Sequence, residues 1–299
     1  MANLRTLDAI QMHRSDPDAI VAAGELVDMS FTNGDALSLR SAKLFCLMVQ
    51  EAGIDVAEDT QHRLPYSILN ETFHLSKDEL VESISELHKT TVSVQMVDGD
   101  GRSFTKTGPI LSDVERETSS LDDAEIRFQF SPTMRRVISD STHWASISRR
   151  AVLSFESRYT LRLYMWLCLR INRRQTSQEI SLTDLRDILG ISSTTLPRWQ
   201  DVKRRALEPA IAEITQLAGF VVGYTPMKRG RRMVGIRLSW GRKDTDGLIE
   251  AQKELDRPRI GRKARRDGLV ETMAQERHML AESLANAPAL SRPTDLIED

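Results

Sequence analysis

The chain has 299 residues, 40% of them hydrophobic, with 41 Lys and Arg against 43 Asp and Glu. That length suits two domains, each with a core of its own; no apolar run nears the ~20 residues of a membrane span, and the opening MANLRTLDAIQMHRSDPDAI lacks a signal peptide's apolar stretch. The net charge of -2 conceals a polarity, with 17 acidic and 7 basic residues in 51–130 but 9 Arg and 2 acids in 131–175 and 11 Lys and Arg against 3 acids in 198–243, so the C-terminal half points to an anionic partner.

In chain order, residues 1–30 read as an N-terminal arm. LRSAKLFCLM (Leu39–Met48) then places Leu39, Ala42, Phe45, Cys46 and Val49 on one helical face. A short helix, LPYSILNETF, is predicted from Leu64. Ser76 reads as the N-cap of KDELVESISELHK, with Glu79 three residues on completing a capping box. TTVSVQMV, the turn DGDG at Asp98–Gly101 and a returning strand then form a hairpin. LRLYMWLCLR (Leu161–Arg170) repeats the first helical motif at an offset of 122 residues. ISLTDLRDILG, from Ile180, is a second short helix stopped by Gly190. RWQDVKRRALEPAIAEI (Arg198–Ile214) is the third, and FVVGYTPM, the turn KRGRR and MVGIRLSW close a second hairpin.

Each copy thus reads helix, helix, helix, hairpin, which is the order of a winged helix. The fold class is α+β, mainly α: two tandem winged-helix domains, 31–144 and 145–243, with a C-terminal helical tail over 244–299. Within the tail, 257–266 carries six basic residues and no acid, suiting either a soluble linker or a DNA-binding arm. A helix is predicted over 268–286. Cys46 and Cys168 fall in apolar helical patterns and read as buried free thiols of a reducing cytoplasm.

On the third helix of the second copy, Trp199, Val202, Ala206, Ala210, Ile214 and Leu217 share one face. Arg198, Arg204 and Arg205 face away, and Lys203 sits at the margin, its stem able to pack and its ammonium to emerge. In a helix-turn-helix this end enters the major groove, where an arginine fork bonds guanine N7 and O6 together. Pro209 removes one helical hydrogen bond and predicts a kink. Lys228, Arg229, Arg231 and Arg232 flank Gly230 at the wing tip, suited to phosphate or the minor groove. The first copy's third helix is acidic, with Glu79, Glu82 and Glu86, which disfavours groove reading. Lys77, Arg102 and Lys106 remain as weaker candidates for backbone contact. Without DNA, paired winged helices would be a protein-interaction module.

SFESRYTLRLYMWLC (154–168), DVKRRALEPAIAEI (201–214) and KRGRRMVGIRLSW (228–240) resemble the second winged helix of the iteron-binding plasmid replication initiators of the RepB/RepE type. A weaker likeness over 37–140 matches the first. The resemblance implies a protein that binds directly repeated double-stranded DNA at a plasmid origin, helps open it and recruits host replication proteins such as an initiator, a helicase or a chaperone. It implies self-association in a monomer–dimer equilibrium, largely through the first domain, and autorepression by the dimer. It also implies that Arg198, Lys203, Arg204 and Arg205 read the major groove. The same residues would serve a winged-helix transcriptional repressor without an origin role.

No GxxxxGK[ST] is present, and the six histidines show neither His-x-His nor HExxH spacing. The expectation is a non-enzymatic protein that needs no metal or cofactor, has no membrane attachment and works in the cytoplasm by binding and distorting DNA.

Overall fold

The computed structural model describes residues 5–32, 36–72, 76–97, 100–117, 124–192 and 194–267. It begins with α1 (Thr6–His13), β1 (Ala19–Ala23), α2 (Gly24–Val27), β2 (Ser30–Phe31), α3 (Leu39–Ala52) and a 3-10 turn at Gly53–Ala57. β3 (His62–Pro65), α4 (Tyr66–Thr72), α5 (Lys77–Lys89), β4 (Thr91–Val97) and β5 (Ser103–Pro109) follow. β6 (Leu111–Arg116), β7 (Glu125–Phe130) and α6 (Pro132–Asp140) complete the first domain. β8 (Trp144–Ser148) and α7 (Arg149–Ser154) lead into α8 (Arg158–Asn172), β9 (Ser177–Ser181) and α9 (Leu182–Leu189). Then come α10 (Trp199–Val202), a π turn (Lys203–Leu207), α11 (Glu208–Leu217), β10 (Phe220–Arg229), β11 (Arg232–Arg242), α12 (Thr245–Asp256) and α13 (Arg262–Arg266).

Two winged helices stand in tandem. The first is α3, α4 and α5 with the β4–β5 hairpin; the second is α8, α9 and α10–α11 with the β10–β11 hairpin. The repeated motifs form the first helix of each copy, and their cysteines are buried and unpaired. Desolvation pushes both thiols up to about 12, so neither is a ready nucleophile. Ser76 and Glu79 make the predicted reciprocal capping box at the start of α5.

The copies differ in how they use the strand before their second helix. β9 joins the wing, giving the order β10-β11-β9. β3 instead pairs with β7, and the first wing takes β2 as its third strand. Both strands fall where the sequence had suggested the start of a helix at Leu64 and Ile180. Ser181 ends β9 and caps α9, its hydroxyl accepting from the Asp184 amide, so strand and helix meet without a loop.

Residues 1–30 are not an arm where they are described. β1 pairs antiparallel with β8, from Ala19 opposite Ser148 to Ala23 opposite Trp144. Ile20, Ala22 and Val27 lie in the apolar cluster of the second domain, with Leu161, Leu167 and Ile214. Burial of Ile20 and Val27 stabilises by about 1.5–3 kcal/mol each, and the strand also packs on α1 and α3. The second cluster, around Phe45, Phe128 and Phe130, is the first domain's. At the seam, Lys43 is buried and its Nζ donates to the carbonyls of Leu153 at 2.8 Å and Phe155 at 2.6 Å. Asp28 and Arg170 form a second link at 3.0 Å.

The tail also departs from expectation. α12 packs on α11, with Ala251 buried and Asp256 paired with Arg150, so the second domain's packing extends past 243. A separate unit begins at Arg257. Within it, Gly261 adopts φ 81 and opens α13, and the Arg265 guanidinium donates to the carbonyls of Pro258 and Ile260. The helix predicted over 268–286 lies outside the described residues, as do Asp98 and Gly99 of the first hairpin turn.

Candidate nucleic-acid interface

The third helix of the second domain is anchored by its apolar face. Val202, Ala206, Ala210, Ile214 and Leu217 are all buried, and Trp199 packs against the same cluster. Leu207 is buried too, at the margin of the stripe about 20° beyond Ile214 on a 100° wheel. The Glu208 amide bonds the Lys203 carbonyl five residues back, so the turn holds an extra residue and brings both Ala206 and Leu207 to the core. Pro209 follows immediately, so the helical hydrogen bond that its missing N–H gives up falls at the widened turn. The predicted kink is thus taken up as a widened turn, inside the segment that carries Lys203, Arg204 and Arg205.

Arg198 stands at the N-cap position of α10, its side chain makes no capping bond, and it is exposed. Arg204 and Arg205 are 73% and 61% exposed and share Asp201, at 3.8 and 4.0 Å. Pairs so long and so wet restrain the side chains weakly. Lys203 is held more firmly, with Nζ 3.4 Å from Glu208 Oε1, the atom that also accepts from the Tyr224 hydroxyl at 3.1 Å. Trp199 meets Tyr224 edge to face, with centroids 6.5 Å apart. Burial, then the hydrogen bond to Glu208, push the Tyr224 phenol up to about 12. This small cluster ties the helix to β10 and so fixes the wing beside it.

The wing tip is the other basic element. Lys228, Arg229, Arg231 and Arg232 are exposed around Gly230, whose φ of 63 requires a residue tolerant of the left-handed region. None of the four forms an ion pair among the described residues. The eight candidates therefore fall on two features joined by Tyr224 and Glu208: a helix face and a hairpin tip.

The first domain differs in a way its sequence hides. The α5 acids do not all face outward. Glu86 turns toward the start of α3, accepting from the Ser38 amide at 2.7 Å, the Ser38 hydroxyl at 2.6 Å and the Ser41 hydroxyl at 2.5 Å. Glu79 caps its own helix and meets Arg40 at 2.7 Å. Hydrogen bonds from Ser76, chiefly its backbone N–H, hold the Glu79 carboxyl below its ordinary range. Asp78 and Glu82 remain exposed on α5, matched by Lys77 and Lys89, so the face is less negative than a residue count suggests. Lys77 is exposed at the first turn of α5, Arg102 is exposed beside the hairpin turn, and Lys106 is half-buried on β5 near Phe104 and Arg136.

Two arginines that the sequence reading passed over organise the second domain's helix-turn-helix. Arg162 on α8 donates to the carbonyls of Asp187 and Ile188 at the end of α9, and its guanidinium lies over the Phe31 ring of the first domain. Desolvation lowers it to about 10. Arg186 on α9 donates to three carbonyls of the following turn. Neither role has a sequence signature: both follow from where carbonyls end up after folding.

The family description Initiator Replication protein, WH1 matches residues 19–168, and Initiator Rep protein, WH2 matches 181–240. The first match alone spans half of the chain. This chain is a member of the replication initiator family. The initiator's first match begins where β1 begins, in keeping with a strand that belongs to the fold. The crystal structure of the Pi initiator protein in complex with iteron DNA is similar at a TM-score of 0.57 and 17% identity, over 76% of this chain and 98% of that one. That likeness bears on the fold, two winged helices in tandem. No curated protein sequence matches the initiator. No described helix is long and apolar enough to cross a membrane.

Proposed function

We propose that this initiator binds directly repeated double-stranded DNA at a plasmid origin, the kind of iteron DNA that the Pi protein holds in its crystal structure. The observation that carries the reading is the joint position of the exposed Arg198, Arg204 and Arg205 and the unpaired wing tip, on one domain of a replication initiator. The helix supplies base readout and the wing supplies phosphate contact. The first domain contributes backbone contacts from Lys77, Arg102 and Lys106 and serves in pairing with a second copy. The monomer opens the origin and recruits host replication proteins; the dimer represses its own gene. Catalysis belongs to the recruited enzymes, and the setting is the cytoplasm.

The test is autonomous replication. A plasmid carrying the gene and its neighbouring repeated elements, and lacking any other origin, should be maintained with the wild-type chain and lost with Arg204→Ala/Arg205→Ala. A repressor without an origin role would regulate its promoter yet never maintain the plasmid. Membership of an initiator family weighs against that second reading.

A further inference from the structure

The chain leaves α9 at Leu189 and enters α10 at Trp199, so a short turn decides how the recognition helix is presented. The Ser192 and Thr195 hydroxyls bond each other across the turn at 2.8 Å, and one arginine gathers its carbonyls. Arg186 Nη1 donates to the Leu196 carbonyl at 2.8 Å, and Nη2 donates to the Ser192 carbonyl at 2.6 Å and to that of Thr195. Its backbone carbonyl accepts from Ile191 at 2.8 Å, closing the helix behind it. Leu196 lies at φ 51, one of two non-glycine residues with positive φ among those described, and it precedes Pro197. A leucine there costs about 1 kcal/mol or more and persists only where its surroundings over-determine it. A residue before proline otherwise favours extended backbone.

Arg198 begins two residues beyond Leu196. Its carbonyl accepts from the Asp201 and Val202 amides, so its position is the first turn of the reading helix. We propose that Arg186 is a positioning residue for DNA reading: its fork gathers three carbonyls, holds Leu196 in the left-handed region, and thereby sets the place and direction at which Arg198, Arg204 and Arg205 meet the bases. Arginine is required by shape. A planar guanidinium offers five donors in a fixed fork, whereas a lysine ammonium is a single centre that cannot span three carbonyls from the same stem. The role is one of geometry, since Arg186 spends its donors inside the domain. It rests on the recognition-helix reading given above.

The experiment uses the full chain and a duplex enriched by the wild-type chain from a randomised library, with a shuffled duplex of the same composition as reference. Arg186→Lys keeps the charge and stem; Arg186→Gln removes the charge. Both should lose about tenfold on the enriched duplex, roughly one base pair's worth of discrimination. They should stay within about twofold on the shuffled duplex, because the wing and the outward arginines still meet phosphate. Thermal melting without DNA reports folding in parallel. Equal losses on both duplexes, tracking a lowered melting temperature, would mean a purely structural role and overturn the proposal. Full discrimination by Arg186→Lys would overturn the argument from the fork. If the wild-type chain enriches no sequence at all, the recognition-helix reading fails and this inference with it; if wild type and variants discriminate alike, only this inference fails.

Discussion

Neutralising two residues of the wing, Arg229→Gln/Arg231→Gln, tests the division between phosphate contact and base readout. All four basic residues of the tip are exposed, and no ion pair engages them among the described residues, so no internal partner competes with a phosphate. Each neutralised contact should therefore withdraw a full counterion, about 0.9 in the slope of log affinity against log salt, or about 1.8 for the pair. Raising salt from about 50 to about 200 mM would then cost the wild-type chain about twelvefold more affinity than the variant. Lys203→Gln is the internal comparison. Its ammonium already lies 3.4 Å from Glu208, so the slope should change by much less than one contact's worth. Fluorescence anisotropy on a labelled duplex across a salt series gives the slopes, and circular dichroism confirms folding. An unchanged slope in the folded double variant would remove the wing from the interface; equal effects from Lys203 would refute the argument from internal pairing.

Arg204→Ala should cost about 1–3 kcal/mol on the enriched duplex and relax preference at one base, because its long contact with Asp201 is a weak competitor; the same loss on shuffled DNA would reduce it to a phosphate contact. A fragment of 145–243 lacks β1, the pairing partner of β8, and also Ile20, Ala22 and Val27 from its apolar cluster. It should therefore melt less cooperatively than the whole chain, and calorimetric cooperativity matching the full chain would count against the strand's role. Tyr224 carries a pH dependence. Its folded phenol is raised to about 12 from an ordinary 10, so it keeps its proton longer when folded. The stability it contributes is fully present below pH 10 and is lost as the pH rises toward 12. The gap in melting temperature between wild type and Tyr224→Phe should narrow over that window; a constant gap would show that Glu208 and burial do not perturb the phenol.

Much of the architecture was legible because local rules agreed with the fold. The Ser76–Glu79 box, the Gly190 stop and the alternation of the second hairpin each announce an element at its own position. The apolar stripe from Val202 to Leu217 located the docked face of the recognition helix, and by subtraction the exposed arginines. What escaped was non-local or out of phase. β3 and β9 pair with partners far along the chain, so nothing beside them marks a strand. Leu207 lies at the margin of the apolar stripe, and the π turn, which nothing local announces, draws it in beside Ala206. Glu86 looked like surface charge, yet the serines that satisfy it sit on another helix. Leu196 is neither glycine nor asparagine and precedes a proline, so its left-handed backbone contradicts every local cue. The Arg186 fork that holds it appears only when three carbonyls converge.

The pairing of β1 with β8 also sets a timetable for synthesis. Ala19 is made about 130 residues before its partner Ser148. At ~5–20 residues per second that is a wait of roughly 6 to 26 seconds. Throughout it, the apolar run Ala19–Ala23 has nowhere to pair, while α3, α5 and the first wing emerge and can begin to pack. The earliest strand to be translated thus packs early on α1 and α3 and gains its strand partner late. On the nascent chain the hydrogen-bonding edge of β1 therefore stays open until β8 follows it out.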